Sequence, residues 1–207
     1  MYLPATFAQT DQSAIFDLIE SHSFGLLVSG AGEELVASHL PLLLARDVPL
    51  QGRLIGHMAR ANPQWRSLDG RQVLCVFSGP HAYISPSWYE AAEVVPTWNY
   101  LAVHAYGTCR IIDDPAAAAR IVGDYVSTYE RSQAAPWQLD ASTPYFERML
   151  QAIVAFEIDI TRLEGKWKLG QNHAAERREK TAARLDESEN AEAREIGRLM
   201  RETLGAE

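Results

Sequence analysis

The chain has 207 residues, of which 47% are apolar and 9% aromatic, so it can form one core and offset chain entropy, which excludes a disordered polymer. Its net charge of −8, from 19 basic and 27 acidic residues, argues against a surface that coats nucleic acid, because phosphate binding relies on surplus Lys and Arg. No apolar run reaches the roughly 18 residues of a membrane span, and MYLPATFAQTDQ lacks the pattern of a signal peptide, so a cytoplasmic protein without a membrane partner is expected.

A first helix is predicted from Asp11 to Ser21, with Asp11 as its cap and Ile15, Phe16, Leu18 and Ile19 as its apolar stripe. The period then changes. FGLLVS, LVASHLPLLLA, GRLIGHMA, RQVLCVFS, WNYLAVHAYGTCRII and AIVAFEIDITRL are rich in β-branched and aromatic residues, and AGEE, RDVP, DG and SGP punctuate them. Short strands joined mostly by tight turns do not suit a doubly wound parallel sheet, so the fold class is mainly β with flanking helices (α+β), an antiparallel barrel. Helices are expected after Asn62, over about Asp114 to Arg131, and over Thr143 to Leu150. Residues 174–207 favour helix, carry seven basic and nine acidic side chains, and have a modest stripe of Ile196, Leu199, Met200 and Leu204. The expected organisation is a barrel over 1–173 and a charged helical tail over 174–207 on or beside it, either solvated or docked on a partner subunit.

Four segments carry chemistry. In HMARANPQW, residues 57–65, Asn62 suits a helix cap and Pro63 the first helical position, so the free N–H groups and the nearby Arg60 and Arg66 could hold an anion. The alternative is a plain capped connector. In VPTWNYLAVHAYG, residues 95–107, strand alternation puts Trp98, Tyr100, Ala102, His104 and Tyr106 on one face and Asn99, Leu101, Val103 and Ala105 on the other. The aromatic face could stack on a planar ligand or form a dimer interface, and the aliphatic face would fill the barrel. GPHAYISPSWY, residues 79–89, reads as an irregular loop, a ligand wall or a dimer arm. EGKWKLGQN, residues 164–172, holds two of the three lysines, Lys166 and Lys168, and offers Gln171 and Asn172 to a polar heterocycle edge; it equally reads as a lysine-guarded edge strand.

Cys75 and Cys109 lie in apolar runs and read as reduced, buried thiols. The six histidines form no HExxH or His-x-His pattern and the cysteines no CxxC, so no metal is expected. A Walker loop, a GxGxxG turn and a GxSxG elbow are missing too, which disfavours nucleoside triphosphates and Rossmann cofactors.

In order along the chain, MYLPATFA, SHLPLLL, GHMARANPQW, FSGPHAYISPSWY, VPTWNYLAVHAYG and FEIDITRLEGKWKLGQN resemble the PaiB-like FMN-binding negative transcriptional regulators, relatives of the split-barrel flavoproteins. The resemblance implies an antiparallel split β-barrel, a homodimer, and noncovalent FMN at the dimer interface. It implies a phosphate site at Arg60, Asn62, Gln64 and Trp65, with Ser85, Trp98, Lys166, Gln171 and Asn172 around the ring and ribityl chain. No catalytic residue is assigned. After Gln171 and Asn172 the family pattern continues with arginine, whereas this chain has His173. The implied role is negative transcriptional regulation, with DNA reached through a local patch or a partner. A flavin-dependent oxidoreductase reduced by NAD(P)H is the alternative, and a haem-binding or haem-degrading protein a more distant one, with His39, His57, His81 and His104 as candidate axial ligands.

Overall fold

The computed structural model describes residues 1–32, 34–48, 51–89 and 93–205. Its strands are β1 (Ala8–Gln9), β2 (Phe24–Ala31), β3 (Glu34–Pro41), β4 (Leu43–Ala45), β5 (Arg53–Ala59), β6 (Gln72–Ile84), β7 (Thr97–Ile112) and β8 (Ile153–Lys168). The α-helices are α1 (Gln12–Ser21), α2 (Pro115–Glu130), α3 (Pro144–Gln151), α4 (Ala175–Asp186) and α5 (Ala191–Glu202). Hydrogen bonding orders the sheet β3-β2-β6-β7-β8-β5-β4, with β1 added on β8, so the path ends at β3 and β4 without closing on itself. Pairing is antiparallel between β2 and both β3 and β6, between β5 and both β4 and β8, and between β1 and β8. The antiparallel pairing is that expected from the strand pattern, and the unclosed sheet is the split barrel that the resemblance implies.

The chain packs as two compact units, and β6, β7 and β8 each run from one into the other. The first unit comprises Met1–Leu18, Ser78–His104 and Glu164–Glu207. Within it Ile15, Ile84, Leu101, Val103 and Leu169 are buried, and so are Leu185, Ile196 and Met200 of the C-terminal helices. Residues 174–205 therefore form a packed helix pair in which Ile196 and Met200 are buried while Leu199 and Leu204 are half-buried. Asn190 caps α5 by accepting from Glu192 N at 2.8 Å.

The second unit comprises Ile19–Phe77 and Ala105–Leu163. Leu27, Leu42, Leu54, Met58, Phe77, Phe156, Ile158 and Ile160 are buried in it. Beneath α2, Ala118, Ile121 and Tyr125 pack with Ala155 of β8. Asp114 caps α2 by accepting from Ala116 N and Ala117 N, both at 3.1 Å, and Pro115 occupies the first helical position. Thr143 caps α3 by accepting from Phe146 N at 3.2 Å.

Two elements differ from the sequence reading. LVASHLPLLLA is two strands, because the chain leaves β3 at Pro41 and Leu42 N donates to Ser23 O at 2.8 Å. β6 continues through Gly79 and Pro80 to Ile84, so the first half of the expected irregular segment is strand and only Pro86–Tyr89 forms a short 3-10 turn. β8 continues through Glu164–Lys168, in line with the strand reading of that segment, and there Ala8 and Gln9 pair with Lys166 and Gly165.

Candidate functional site

In the second unit, β5 runs into the 3-10 turn Pro63–Ser67, as the Asn-Pro pair predicts. Asn62 accepts from Gln64 N at 3.0 Å and its Nδ2 donates to Ser38 Oγ at 2.8 Å. Gln64 is 2% exposed, and its side chain is fully engaged. Its Oε1 accepts from Ser38 Oγ at 2.6 Å, while Nε2 faces Ser29 Oγ at 3.0 Å and the carbonyls of Leu27 and Val36 at 3.2 Å. These two amides thus fasten the turn to the β2–β3 hairpin.

Arg60 is exposed, but its Nε and Nη2 donate to Gln151 O and Ile153 O, both at 2.7 Å. Trp65 donates from its indole to Arg60 O at 3.0 Å. The guanidinium carbons of Arg60 and Arg66 lie 5.9 and 5.8 Å from the centroid of the Trp65 ring. Among the described residues no carboxylate pairs with either arginine. Two exposed cations on one indole, uncompensated by acid, suit an anion with planar oxygen edges.

The first unit holds an open groove of about 860 Å³. Trp98, His81, Tyr83 and Trp88 form its aromatic side, and Arg184 and Asn190 belong to the turn region of the C-terminal helix pair opposite. Alternation along β7 leaves Trp98 52% exposed while burying Asn99 and Leu101, as the sequence pattern predicts. Trp98 meets His81 and Tyr83 at ring separations of 5.9 Å, and His81 Nδ1 lies 3.1 Å from Glu192 Oε2. Ser85 is linked to the groove through Ser87, their hydroxyls 2.7 Å apart.

The remaining predicted residues are not in this groove. Lys166 is 7% exposed, donates to Tyr2 O at 3.0 Å, and lies 5.4 and 5.3 Å from the ring centroids of Tyr2 and Tyr100. Carbonyl and aromatic faces thus compensate its burial. Lys168 donates to Trp98 O at 2.8 Å; burial and, secondarily, the Lys166 charge lower its pKa. Gln171 locks the turn after β8, accepting from Leu169 N at 2.8 Å and donating to Trp167 O at 2.7 Å around Gly170, whose φ of 80° favours glycine. Asn172 is exposed. His173 packs on Tyr89 at 5.5 Å, and Arg177 of α4 lies 5.1 Å from the centre of the same ring.

Sequence reasoning did not anticipate the helix-pair wall of the groove or the partners of Lys166. Both depend on contacts between segments far apart in the chain, for which periodicity carries no signal. The two cysteines are free and buried, and burial pushes the Cys109 thiol up to about 12 and Cys75 higher still. Among the described residues no group of three or more His, Cys, Asp and Glu gathers as a metal cluster, and no helix is long and apolar enough to cross a membrane.

Comparison with known proteins places this geometry in context. The chain is 34% identical over 99% of its length, and 98% of the relative's, to the protease synthase and sporulation protein PAI 2 of Bacillus subtilis. It is 32% identical to an uncharacterized protein of Emericella nidulans, covering 83% of this chain and 84% of that one. In fold it is similar to the FAD and heme binding protein of Mycobacterium smegmatis, with a TM-score of 0.60, 18% identity, and coverage of 83% of this chain and 78% of that one. The flavocytochrome Anf3 of Azotobacter vinelandii gives a TM-score of 0.60 at 13% identity, over 78% of this chain and 69% of that one. A family model matches residues 1–162, and the chain belongs to that family, described as "Putative FMN-binding domain".

Proposed function

We propose that this protein is a cytoplasmic, homodimeric split-barrel protein that binds FMN noncovalently and acts in negative transcriptional regulation. The observation that carries the FMN reading is the Arg60–Trp65–Arg66 cluster, two guanidinium groups unmatched by carboxylates among the described residues, in a chain of the FMN-binding family. Its donor set fits a phosphate monoester, with Arg66 and the remaining N–H groups of Arg60 holding the oxygens. Asn62 and Gln64 contribute by holding the turn that presents them.

Trp98, with Ser85 behind Ser87, supplies a separate aromatic wall suited to a planar ring, and Lys166, Gln171 and Asn172 are assigned as the neighbouring polar segment. Bound FMN would supply one- or two-electron redox chemistry, which the protein tunes by position and charge. The regulatory role follows the resemblance to the PaiB-like regulators. Three arginines of the helix pair are locally neutralised, Arg198 by Glu195 and Glu202, Arg201 by Glu179 and Asp186, and Arg184 by Glu187. That favours regulation through a partner over a broad DNA-binding surface.

Riboflavin, which lacks the phosphate, tests the assignment. Arg66→Ala is expected to weaken FMN binding by about 1.5–3 kcal/mol, the range for hydrogen bonds to charged groups, and to leave riboflavin binding unchanged. Equal losses for the two ligands, or no loss for FMN, would refute the phosphate assignment. Trp98→Ala should weaken both. Sedimentation equilibrium tests the dimer, and a gel shift with and without candidate partner proteins tests the regulatory route.

A further inference from the structure

The second unit contains a cavity of about 500 Å³, within the range of small-molecule sites. Val122 and Val126 of α2, Phe146 and Met149 of α3, and Ile153 at the start of β8 give it apolar walls, and His57 of β5 also lines it. His57 Nδ1 is buried and has no hydrogen-bond partner among the described residues. A buried polar atom without a partner is rare and costly, and it marks a place where a bound molecule can supply the missing bond.

Gln138 and Tyr145 also line the cavity, whereas the polar groups of Tyr125 beside it and of Thr143 and Asp140 on its wall are committed elsewhere. Tyr125 meets the His57 ring edge-on at 4.7 Å, but its hydroxyl is directed to Pro41 O at 2.6 Å and Ile55 O at 2.9 Å. Thr143 caps α3 and donates to Asp140 O, while the Asp140 carboxylate accepts from Ser142 N and Oγ. Burial lowers the His57 pKa and so favours the neutral ring, which with its proton on Nε2 offers a lone pair at Nδ1. Among the described residues no Lys or Arg lines the cavity and Asp140 does, so an anion finds no charge partner among them.

We propose that this cavity is a binding site for a small, neutral aromatic molecule with one hydrogen-bond donor, its ring packed against Val122, Val126 and Phe146 and its donor directed to His57. The site is independent of the flavin reading, since the phosphate of FMN would be unpaired in it.

The test uses the protein as purified and three probes of one skeleton: 2-naphthol, naphthalene and 2-naphthalenesulfonate. Quenching of Trp137, which also lines the cavity, reports occupancy. Saturable binding of one 2-naphthol per chain is expected, with naphthalene about fivefold weaker for lack of the donor and the sulfonate not bound. Val126→Trp should fill the cavity and abolish binding in a chain that keeps its far-UV circular dichroism. If that variant does not fold, Val122→Phe replaces it with the same expectation. His57→Phe should bring 2-naphthol down to the affinity of naphthalene. The proposal is overturned if 2-naphthol does not saturate, if the sulfonate binds equally, or if the filled variant binds like the parent. It is also overturned if Met149→Glu dissociates a dimer whose monomers bind no 2-naphthol, which would give these walls to a second copy.

Discussion

Replacing Gln64 by leucine separates two roles a polar residue at this turn can have. The substitution roughly keeps volume and removes the amide. The structure commits that amide to the β2–β3 hairpin, with one bond accepted from Ser38 and two N–H groups shared among Ser29 Oγ, Leu27 O and Val36 O. At about 0.5–1.5 kcal/mol net for each of three bond equivalents, the expected loss of stability is about 2–4 kcal/mol. That is a large part of the roughly 5–15 kcal/mol that holds a typical domain folded. In urea, with a slope of about 2 kcal/mol per molar, the midpoint should fall by about 1–2 M at constant slope. Below the transition, the FMN affinity of the folded variant should fall far less than that of Arg66→Ala, because Gln64 acts on the site only by holding the turn and no polar atom of it is left over for a ligand. A midpoint shift under about 0.3 M with a clear loss of FMN affinity would refute this reasoning and return Gln64 to direct cofactor contact.

Other expectations follow from burial. Cys75 and Cys109, both with raised pKa values, should resist a thiol-specific chromogenic reagent in the native protein and react fully in urea; fast native labelling would contradict their burial. Burial lowers the pKa of His57 and His173 below the ordinary 6.5, so the folded chain takes up these protons less readily than the unfolded one. Their contribution to stability is therefore full above about pH 6.5 and is lost as pH falls toward the folded pKa values, and His57→Gln should reduce the fall in urea midpoint between pH 8 and 5. A Cβ at Gly107 would lie 2.4 Å from Asp159 O and 2.7 Å from Ile158 Cγ2, so Gly107→Ala should cost about 1–3 kcal/mol in a chemical denaturation experiment, as overpacking does.

Much of the fold was legible where periodicity is strict. The alternation of β7 is visible in TWNYLAVHAYGTC, and each buried position from Asn99 to Cys109 falls on the predicted face. Asn62-Pro63, Asp114-Pro115 and Thr143-Pro144 likewise mark the helix starts they cap. The continuation of β6 was hidden because Gly79-Pro80 reads as a breaker, although a strand tolerates proline wherever its N–H is not needed. The candidate site was less legible for a related reason. Sequence shows that Gln64, Lys166 and Gln171 carry polar groups, but not that those groups bond to Val36 O, Tyr2 O and Trp167 O. Such partners are set by tertiary packing, so composition locates a polar segment without saying how much of it remains for a ligand.

The charge distribution shows the same limit and resolves it. Residues 51–110 contain five arginines against Asp69, Glu90 and Glu93, a local balance of +2 that singles out this stretch in a chain of net −8. In space the balance is divided differently. Arg53 is paired with Asp159 at 2.6 Å and Glu157 at 2.9 Å, and Arg110 with the same Glu157 at 2.5 Å, both acids lying on β8 outside the counted stretch. Asp69, inside it, accepts from Ile111 N. Among the described residues, the arginines left against Trp65 without a carboxylate are Arg60 and Arg66, one strand end and one turn apart. An uncompensated pair on one indole attracts an anion through its local field, and net charge beyond a Debye length of about 8 Å is screened at physiological salt. An acidic protein can therefore hold a phosphate group: what decides it is which cations the fold leaves unpaired, not the sum along the chain.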